Sequence, residues 1–295
     1  MNFVKRLAAV GVVLASGLAA TPAAAANDPT PASATPLIVG GRGATESYDG
    51  MVSVLYDRTG TGQHSLRCGA FLITPLHVVT NAHCVTTPDG ATPIPARYRI
   101  RAGSHDHASG GQVLDVTRIK THRLWDWGKG QDPVADIAVV WLARAVWLQP
   151  FPIGVAGVVG DPARLLGWGS TKPSGEGPLP STLQELDTTI LPPQACAAGG
   201  IGVGELCVDS PGAVSGACYG DSGGPALKRV GNGWWAVGGA SRETVLVCGV
   251  APTIYTDLSY YESWIWWTIF GGKEPGPIKP PGPRSPATLH WTGGL

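Results

Sequence analysis

The stretch "GACYGDSGGP", residues 216–225, sets one serine between an aspartate and two glycines. Glycine accepts backbone conformations that other residues avoid, so a turn needed only for its shape would explain this composition. The same composition suits a nucleophilic serine whose neighbouring N–H groups must face a substrate. The stretch alone leaves both explanations open, and the rest of the chain has to decide between them.

The overall composition excludes several classes of partner. The 295-residue chain carries 21 basic and 21 acidic residues, so its formal net charge is zero. It has no basic block of the kind that binds nucleic acid or anionic lipid, and we expect neither partner. The 42 glycines and 26 prolines favour many turns and short elements over long helices.

The N-terminal region has the pattern of an export signal. Lys5 and Arg6 precede an apolar run and then small residues, which predicts a secretory signal peptide over residues 1–26. The alternative, a transmembrane anchor, needs a longer apolar run. Residues 27–37 are polar and Pro-rich and are interpreted as a pro-segment. We therefore expect a secreted, extracellular protein with no membrane contact after the signal is removed.

Short strands dominate the middle of the chain. Residues 52–56 and 97–102 alternate between apolar and polar side chains, the period of half-buried strands. "DIAVVWL", residues 136–142, is apolar on both faces, as a central barrel strand would be. Residues 226–241 form two strand patterns joined by a Gly-rich turn. These signals predict an all-β barrel or sandwich.

One helix is predicted near the C-terminus. Ser259 and Glu262 fit a capping box, and Tyr261, Trp264 and Ile265 follow at helical spacing. Paired glycines end this pattern at residue 271, which closes the folded domain. The Pro- and Gly-rich tail, residues 272–295, is predicted to be extended or disordered, without a specific partner.

Two further residues could support a nucleophilic serine. A serine hydroxyl needs a base, usually histidine. His83 lies in the apolar run "VVTNAHCV", where its ring would be held firmly, although a structural histidine fits there equally well. Asp136 opens an apolar strand, where a carboxylate is costly without a hydrogen-bond partner. It is either a cap for the strand or the group that orients the base.

Six motifs follow one another along the chain: "IVGG" at Ile38, "TNAHC" at Thr80, "DIAVV" at Asp136, "GWG" at Gly167, "GDSGGP" at Gly220 and "ESWI" at Glu262. In their order and rough spacing they resemble one family, the trypsin/chymotrypsin-like serine proteases. The resemblance extends from Ile38 to Phe270 and implies two six-stranded antiparallel β-barrels with a C-terminal helix. The peptidase domain would cover residues 38–271, with the barrels meeting near residue 150 and the site in the cleft between them.

The resemblance implies a role for each site residue. Ser222 attacks the scissile carbonyl, His83 takes its proton, and Asp136 fixes the tautomer of His83. The N–H groups of Gly220 and Ser222 form the oxyanion hole. No metal and no other cofactor is expected.

The resemblance also implies an activation switch. The carboxylate of Asp221 would pair with a free α-ammonium on Ile38, which exists only after cleavage between Leu37 and Ile38. Before cleavage Asp221 should point elsewhere, since an unpaired buried carboxylate is costly, and the oxyanion hole should be unformed. An activating protease is thus an expected partner, and because Leu37 is not basic, a trypsin-like activator is not expected.

The six cysteines are an even number in a chain that we expect to be exported, which suggests three disulfides. Six cysteines allow fifteen pairings, and their spacing alone cannot choose among them. The pairs that the resemblance implies are Cys68–Cys84, Cys196–Cys207 and Cys218–Cys248.

The specificity pocket is also placed by the resemblance. Gly216 would lie at its floor, where no acid is present to bind Lys or Arg. Ser241 matches the family pattern in one wall, while Glu243 and Thr253 add bulk that resembles elastases. We expect a preference for small or medium apolar residues on the acyl side. Glu243 could instead favour a cationic group, and Arg242 an acidic one.

The sequence as a whole is interpreted as a monomeric, secreted serine endopeptidase that acts on protein or peptide substrates. The alternative is a non-catalytic, protease-like binding protein, but such proteins usually lose a triad residue and this chain retains all three. An esterase of another fold would carry its serine in a GxSxG turn, which Ser222 lacks.

Overall fold

The computed structural model describes residues 38–88, 92–127, 134–272 and 275. The expected signal peptide and pro-segment, and all of the tail except residues 272 and 275, lie outside the described residues. Among the residues described, no helix is long and apolar enough to cross a membrane.

A short strand, β1 (Arg42–Gly43), precedes the first barrel. The strands of the first barrel are β2 (Met51–Tyr56), β3 (Ser65–Thr74), β4 (His77–Thr80), β5 (Tyr98–Ala102), β6 (Gln112–Thr121) and β7 (Ala138–Leu142). They close in the order β2-β3-β4-β7-β6-β5, with β5 pairing back onto β2. The predicted alternation in residues 97–102 is confirmed, because Tyr98, Ile100 and Ala102 are buried inside this barrel and the intervening arginines are partly exposed.

The strands of the second barrel are β8 (Pro162–Gly167), β9 (Gln184–Leu191), β10 (Glu205–Val208), β11 (Pro225–Val230), β12 (Gly233–Glu243) and β13 (Thr253–Asp257). They run in the order β9-β10-β13-β12-β11-β8, and pairing of β8 with β9 closes the ring, while β1 adds to β9. The predicted fold of two six-stranded barrels is therefore confirmed. Residues 143–161 connect the two barrels.

A shared apolar cluster joins the two barrels. Phe71 and Ile137 from the first barrel and its flank pack in one buried cluster with Leu166 and Trp168 from the second. Burial of these apolar side chains stabilises the contact between the barrels.

Two α-helices flank the barrels: α1 (Ala82–Val85) and α2 (Leu258–Phe270). The predicted inner face of α2 is confirmed, because Tyr261, Trp264 and Ile265 are all buried. The predicted capping box is wrong, since the helix begins after Asp257, whose Oδ1 accepts hydrogen bonds from the N–H groups of Ser259 (2.9 Å) and Tyr260 (3.4 Å). A carboxylate at the end of β13 already satisfies the unpaired N–H groups of the first turn.

Three disulfides stabilise the fold: Cys68–Cys84, Cys196–Cys207 and Cys218–Cys248. They are the pairs that the family resemblance implied. The first joins β3 to α1, which carries His83, and the third joins the "GACYGDSGGP" stretch to the loop after β12.

Candidate active site

His83 lies on the single turn α1 and is 1% exposed. Its ring atom Nδ1 is 2.7 Å from Oδ2 of Asp136, and its backbone N–H donates to Oδ1 of the same carboxylate (3.0 Å). Both oxygens of Asp136 therefore fix His83. A hydrogen bond to a carboxylate places the proton on Nδ1 and leaves Nε2 as the basic atom. The structure brings His83 and Asp136 together, as the functional interpretation of both residues requires.

Two more side chains hold Asp136 in place. Asn81 Nδ2 (3.0 Å) and Ser241 Oγ (2.7 Å) both donate to Asp136 Oδ2. Burial would raise the pKa of this carboxyl, but the charge and hydrogen bonds of His83, with the bond from Asn81, keep it below its usual value. Asp136 is therefore an anion although it is only 1% exposed.

Sequence reasoning missed the contacts of Asn81 and Ser241 with the carboxylate. Asn81 directly precedes Ala82 and His83 in "TNAHC", so a polar side chain in an otherwise apolar run was an available signal. Ser241 was expected only in the pocket wall. It does border the pocket, but its hydroxyl donates to Asp136, which lies 105 positions away in the sequence, and no local pattern connects them.

The turn that carries Ser222 is fastened to both barrels. The carbonyl of Ser222 accepts from the N–H of Gly69 on β3 (2.8 Å), and the N–H of Gly223 donates to Ala240 on β12 (2.9 Å). Gly223 has a φ of +75°, and a Cβ there would collide with Thr80 Oγ1 and the Gly69 carbonyl. Glycine is thus required for the turn to approach the segment that leads into His83, and shape is one reason for the composition of this stretch.

The backbone N–H groups of this turn offer a second reason. Gly220 has a φ of +98°, a conformation that residues with a side chain rarely adopt. Within the part of the chain that the structure describes, neither the N–H of Gly220 nor that of Ser222 donates a hydrogen bond. The N–H groups of Gly220 and Ser222, which lie on either side of Asp221 in the chain, can therefore stabilise an oxyanion beside the serine hydroxyl.

Asp221 lies beneath this turn and is 2% exposed. Its carboxylate accepts from the N–H groups of Gly169 (2.7 Å) and Cys218 (2.9 Å). Burial raises its pKa to about 7, and these two hydrogen bonds offset only part of that effect. A Cβ at Gly167 or Gly169 would collide with the carboxylate, which explains the glycines of the "GWG" motif.

Asp221 therefore points inward in this structure of the uncut chain, whereas the expected switch has it point elsewhere before cleavage. Ile38 is fully buried, and the N–H of Gly216 donates to the carbonyl of Val39 (2.9 Å). Leu37 lies outside the described residues. Activation by cleavage before Ile38 stays a prediction.

A pocket with ≈ 380 Å³ of empty space, a volume that includes open solvent, adjoins Ser222. Glu243 and Thr253 both line it, and the Thr253 hydroxyl donates to Glu243 Oε2 (2.9 Å). Burial raises the pKa of Glu243 to about 8, with the charge of Asp221 acting in the same direction. Gly216 is buried next to Ser210, and its expected place at the pocket floor stays a prediction.

Arg242 does not bind an acidic group at the pocket mouth, which corrects one of the alternatives. The residue is 6% exposed, and its guanidinium donates to both carboxylate oxygens of Glu205, at 2.5 and 2.9 Å, and to the carbonyls of Gly199 and Gly200. A guanidinium committed to four acceptors inside the second barrel is unavailable to a substrate.

Comparison with known proteins agrees with this geometry. The family model for trypsin matches residues 38–265. The chain is similar to human chymotrypsin-like elastase family member 1, with 32% identity over 77% of this chain and 90% of the relative. It is also similar to bovine chymotrypsin-C (31% identity, 77% and 87% covered) and to trypsin beta of Drosophila erecta (30% identity, 77% and 87% covered).

Proposed function

The chain belongs to the trypsin family of serine proteases and is a serine-type endopeptidase, and we propose that its catalytic triad is Ser222, His83 and Asp136. As an endopeptidase it acts on peptide bonds of proteins or peptides. The observation that carries the proposal is the pair of hydrogen bonds from His83 to a buried Asp136, next to a turn with two unpaired N–H groups.

In the first half of the reaction the Ser222 hydroxyl attacks the scissile carbonyl carbon while His83 Nε2 accepts its proton. Charge develops on the carbonyl oxygen, and the N–H groups of Gly220 and Ser222 donate to it. Each such donor lowers the activation barrier by on the order of 3 kcal/mol. The C–N bond then breaks, the leaving amine takes the proton from His83, and an acyl-enzyme remains on Ser222.

In the second half a water molecule takes the place of the amine. His83 accepts a proton from this water as the water attacks the acyl carbon, and returns the proton to Ser222 when the acid product leaves. Asp136 stays ionised throughout and stabilises the imidazolium that forms twice in each cycle. Its depressed pKa supports this role, because the carboxylate must remain an anion beside a positive ring.

We also propose a preference for small or medium apolar residues on the acyl side of the cleaved bond. The Glu243–Thr253 hydrogen bond shortens the pocket. With a pKa of about 8, Glu243 is protonated at neutral pH and offers no full negative charge to a Lys or Arg side chain. An ammonium buried there without a counter-charge would be strongly disfavoured.

Activation by cleavage before Ile38 is part of the same proposal. The carboxylate of Asp221 is buried with two N–H partners, and its pKa of about 7 reflects the lack of a full counter-charge. A free α-ammonium on Ile38 would supply that charge and hold the turn with its two N–H groups in place. The chain is proposed to be secreted and then cleaved by another protease, and its three disulfides are consistent with an oxidising compartment.

The test of the triad is hydrolysis of a peptide library by the chain that begins at Ile38. Ser222→Ala should lower the rate by about 10⁴-fold or more without unfolding the protein. Ser109→Ala, at an exposed serine away from the site, is the matched control and should leave the rate unchanged. An Ser222→Ala variant that retains the wild-type rate would show that another group is the nucleophile.

A further inference from the structure

A second cavity also borders the serine turn. It is open, with ≈ 640 Å³ of empty space that includes solvent, and is bordered by Tyr219 and Gly220 together with Tyr56, Arg58 and Arg67. Tyr219 also borders the pocket lined by Glu243 and Thr253, so the two cavities share this residue. If the acyl-side residue of a substrate fills that pocket, the chain beyond the cleaved bond runs toward this cavity.

Arg67 forms the inner wall of the cavity, and its guanidinium is partly buried. Nε donates to the carbonyl of Cys84 (2.5 Å), and Nη2 donates to the carbonyls of His83 (3.3 Å) and Thr86 (3.2 Å). The guanidinium also lies over the ring of Tyr56, with Cζ 5.0 Å from the ring centre. These contacts fix the cation in position, and the bonds to carbonyl oxygens leave its full charge without a neutralising anion.

No carboxylate of the described residues forms an ion pair with Arg67 or Arg58. The acidic residue next to Arg58 is Asp57, which is 5% exposed and accepts from the N–H groups of Gly60, Thr61 and Gly62 in its own loop. Arg58 is exposed at the rim of the cavity. Among the residues that the structure describes, the cavity therefore presents two guanidinium groups and no acidic side chain to balance them.

We propose that this cavity binds an acidic side chain of the substrate, located within the first three residues after the cleaved bond, and that Arg67 and Arg58 determine this specificity. The proposal rests on the proposed triad, which sets the direction of the substrate. The carbonyl contacts of Arg67 occupy Nε and Nη2 and leave Nη1 to donate to a carboxylate, while the exposed Arg58 supplies a second cation. Charge-assisted hydrogen bonds of this kind are stronger than neutral ones. Tyr56 and Tyr219 would pack against the carbon atoms of the same side chain.

The experiment uses internally quenched peptides with alanine before the cleaved bond and Asp, Asn or Lys at each of the first three positions after it. Asn has the shape of Asp without its charge, so the ratio of their kcat/KM values measures the effect of the charge. At neutral pH and low salt we expect Asp to exceed Asn by about tenfold at one position, with Lys the poorest. The ratio should fall toward one at high ionic strength.

Two variants test whether these arginines are the cause. Arg58→Gln should lower the Asp/Asn ratio severalfold, and adding Arg67→Gln should bring it close to one. Because Arg67 also holds the carbonyl of His83, the ratio within one variant is compared rather than its absolute rate. Arg144→Gln, at an exposed arginine just after the first barrel and outside the cavity, is the control and should keep the wild-type ratio.

The outcomes separate this proposal from the triad. Cleavage of the Asn peptides with an Asp/Asn ratio near one at all three positions, or a ratio unchanged by both variants, overturns the acidic subsite and leaves the triad intact. If no peptide is cleaved, either the proposed acyl-side preference or the triad proposal fails. In that case the binding of Asp- and Asn-containing peptides to the Ser222→Ala protein, measured by fluorescence anisotropy, still decides the subsite: equal affinities refute it, and tighter Asp binding supports it.

Discussion

Replacement of Asp221 by asparagine should change how the stability of the uncut chain depends on pH. Burial raises the pKa of this carboxyl from its ordinary value of 3.8 to about 7, against the opposing hydrogen bonds from Cys218 and Gly169. Because the folded-state pKa is the higher one, the stabilisation is fully present below about pH 3.8 and is lost as the pH rises through about 7. A shift of roughly three units corresponds to about 4 kcal/mol.

The assay is urea unfolding of the chain that begins at Asn27, at several pH values between 4 and 8. Ser222→Ala is included in every protein to prevent self-cleavage. With Asp221 present, the free energy of unfolding should fall by about 4 kcal/mol as the pH rises across this range, and Asp221→Asn should abolish this fall. The same fall should shrink in the chain that begins at Ile38, because its α-ammonium neutralises the carboxylate.

The control is Asp57→Asn, at another buried aspartate. Burial would raise the pKa of Asp57, but the N–H groups of its loop outweigh burial and lower it. This group stabilises the fold at neutral pH and loses that effect as the pH falls, so its replacement should change the pH profile in the opposite sense. An unchanged profile in Asp221→Asn, or equal profiles for the chains beginning at Asn27 and Ile38, would refute the reasoning.

Three other substitutions probe the site. Ser241→Ala removes a donor to the triad carboxylate and should lower kcat about 10-fold to 100-fold, measured by steady-state kinetics; an unchanged kcat would mean that the bond is dispensable. Glu243→Gly should open the pocket and admit Phe or Tyr on the acyl side, as cleavage-site profiling would show; a wild-type preference for Arg that this variant loses would contradict the proposed specificity. Gly223→Ala should destabilise the fold by several kcal/mol in urea unfolding, far more than Gly60→Ala, which has a matching φ of +77° but open space around it; equal losses would show that φ alone matters.

The sequence predicted the fold well because its strands carry local signals. Alternation in residues 97–102 and the two-sided apolar run after Asp136 depend only on which side chains face the barrel interior. The C-terminal helix was placed correctly, but its first residue was not, because Ser259 and Asp257 are both good caps and only the end of β13 decides between them.

The site was predictable only where residues of one motif act together. His83 and Asp136 each had a plausible structural role, and the 2.7 Å contact between them depends on how α1 packs beside β7. Arg242 could not be placed from its neighbours, since its partner Glu205 lies on another strand. The hydrogen bond between Thr253 and Glu243 likewise depends on side-chain directions that no local pattern encodes.

The most direct test of the proposed triad is covalent labelling with a fluorophosphonate, followed by peptide mapping of the adduct. The chain that begins at Ile38 should take up one label, on Ser222, and His83→Ala should slow the reaction by several orders of magnitude because the base is lost. His64→Ala, at a histidine outside the site, should label at the wild-type rate. A label on any other residue, or labelling of Ser222 that does not depend on His83, would contradict the account.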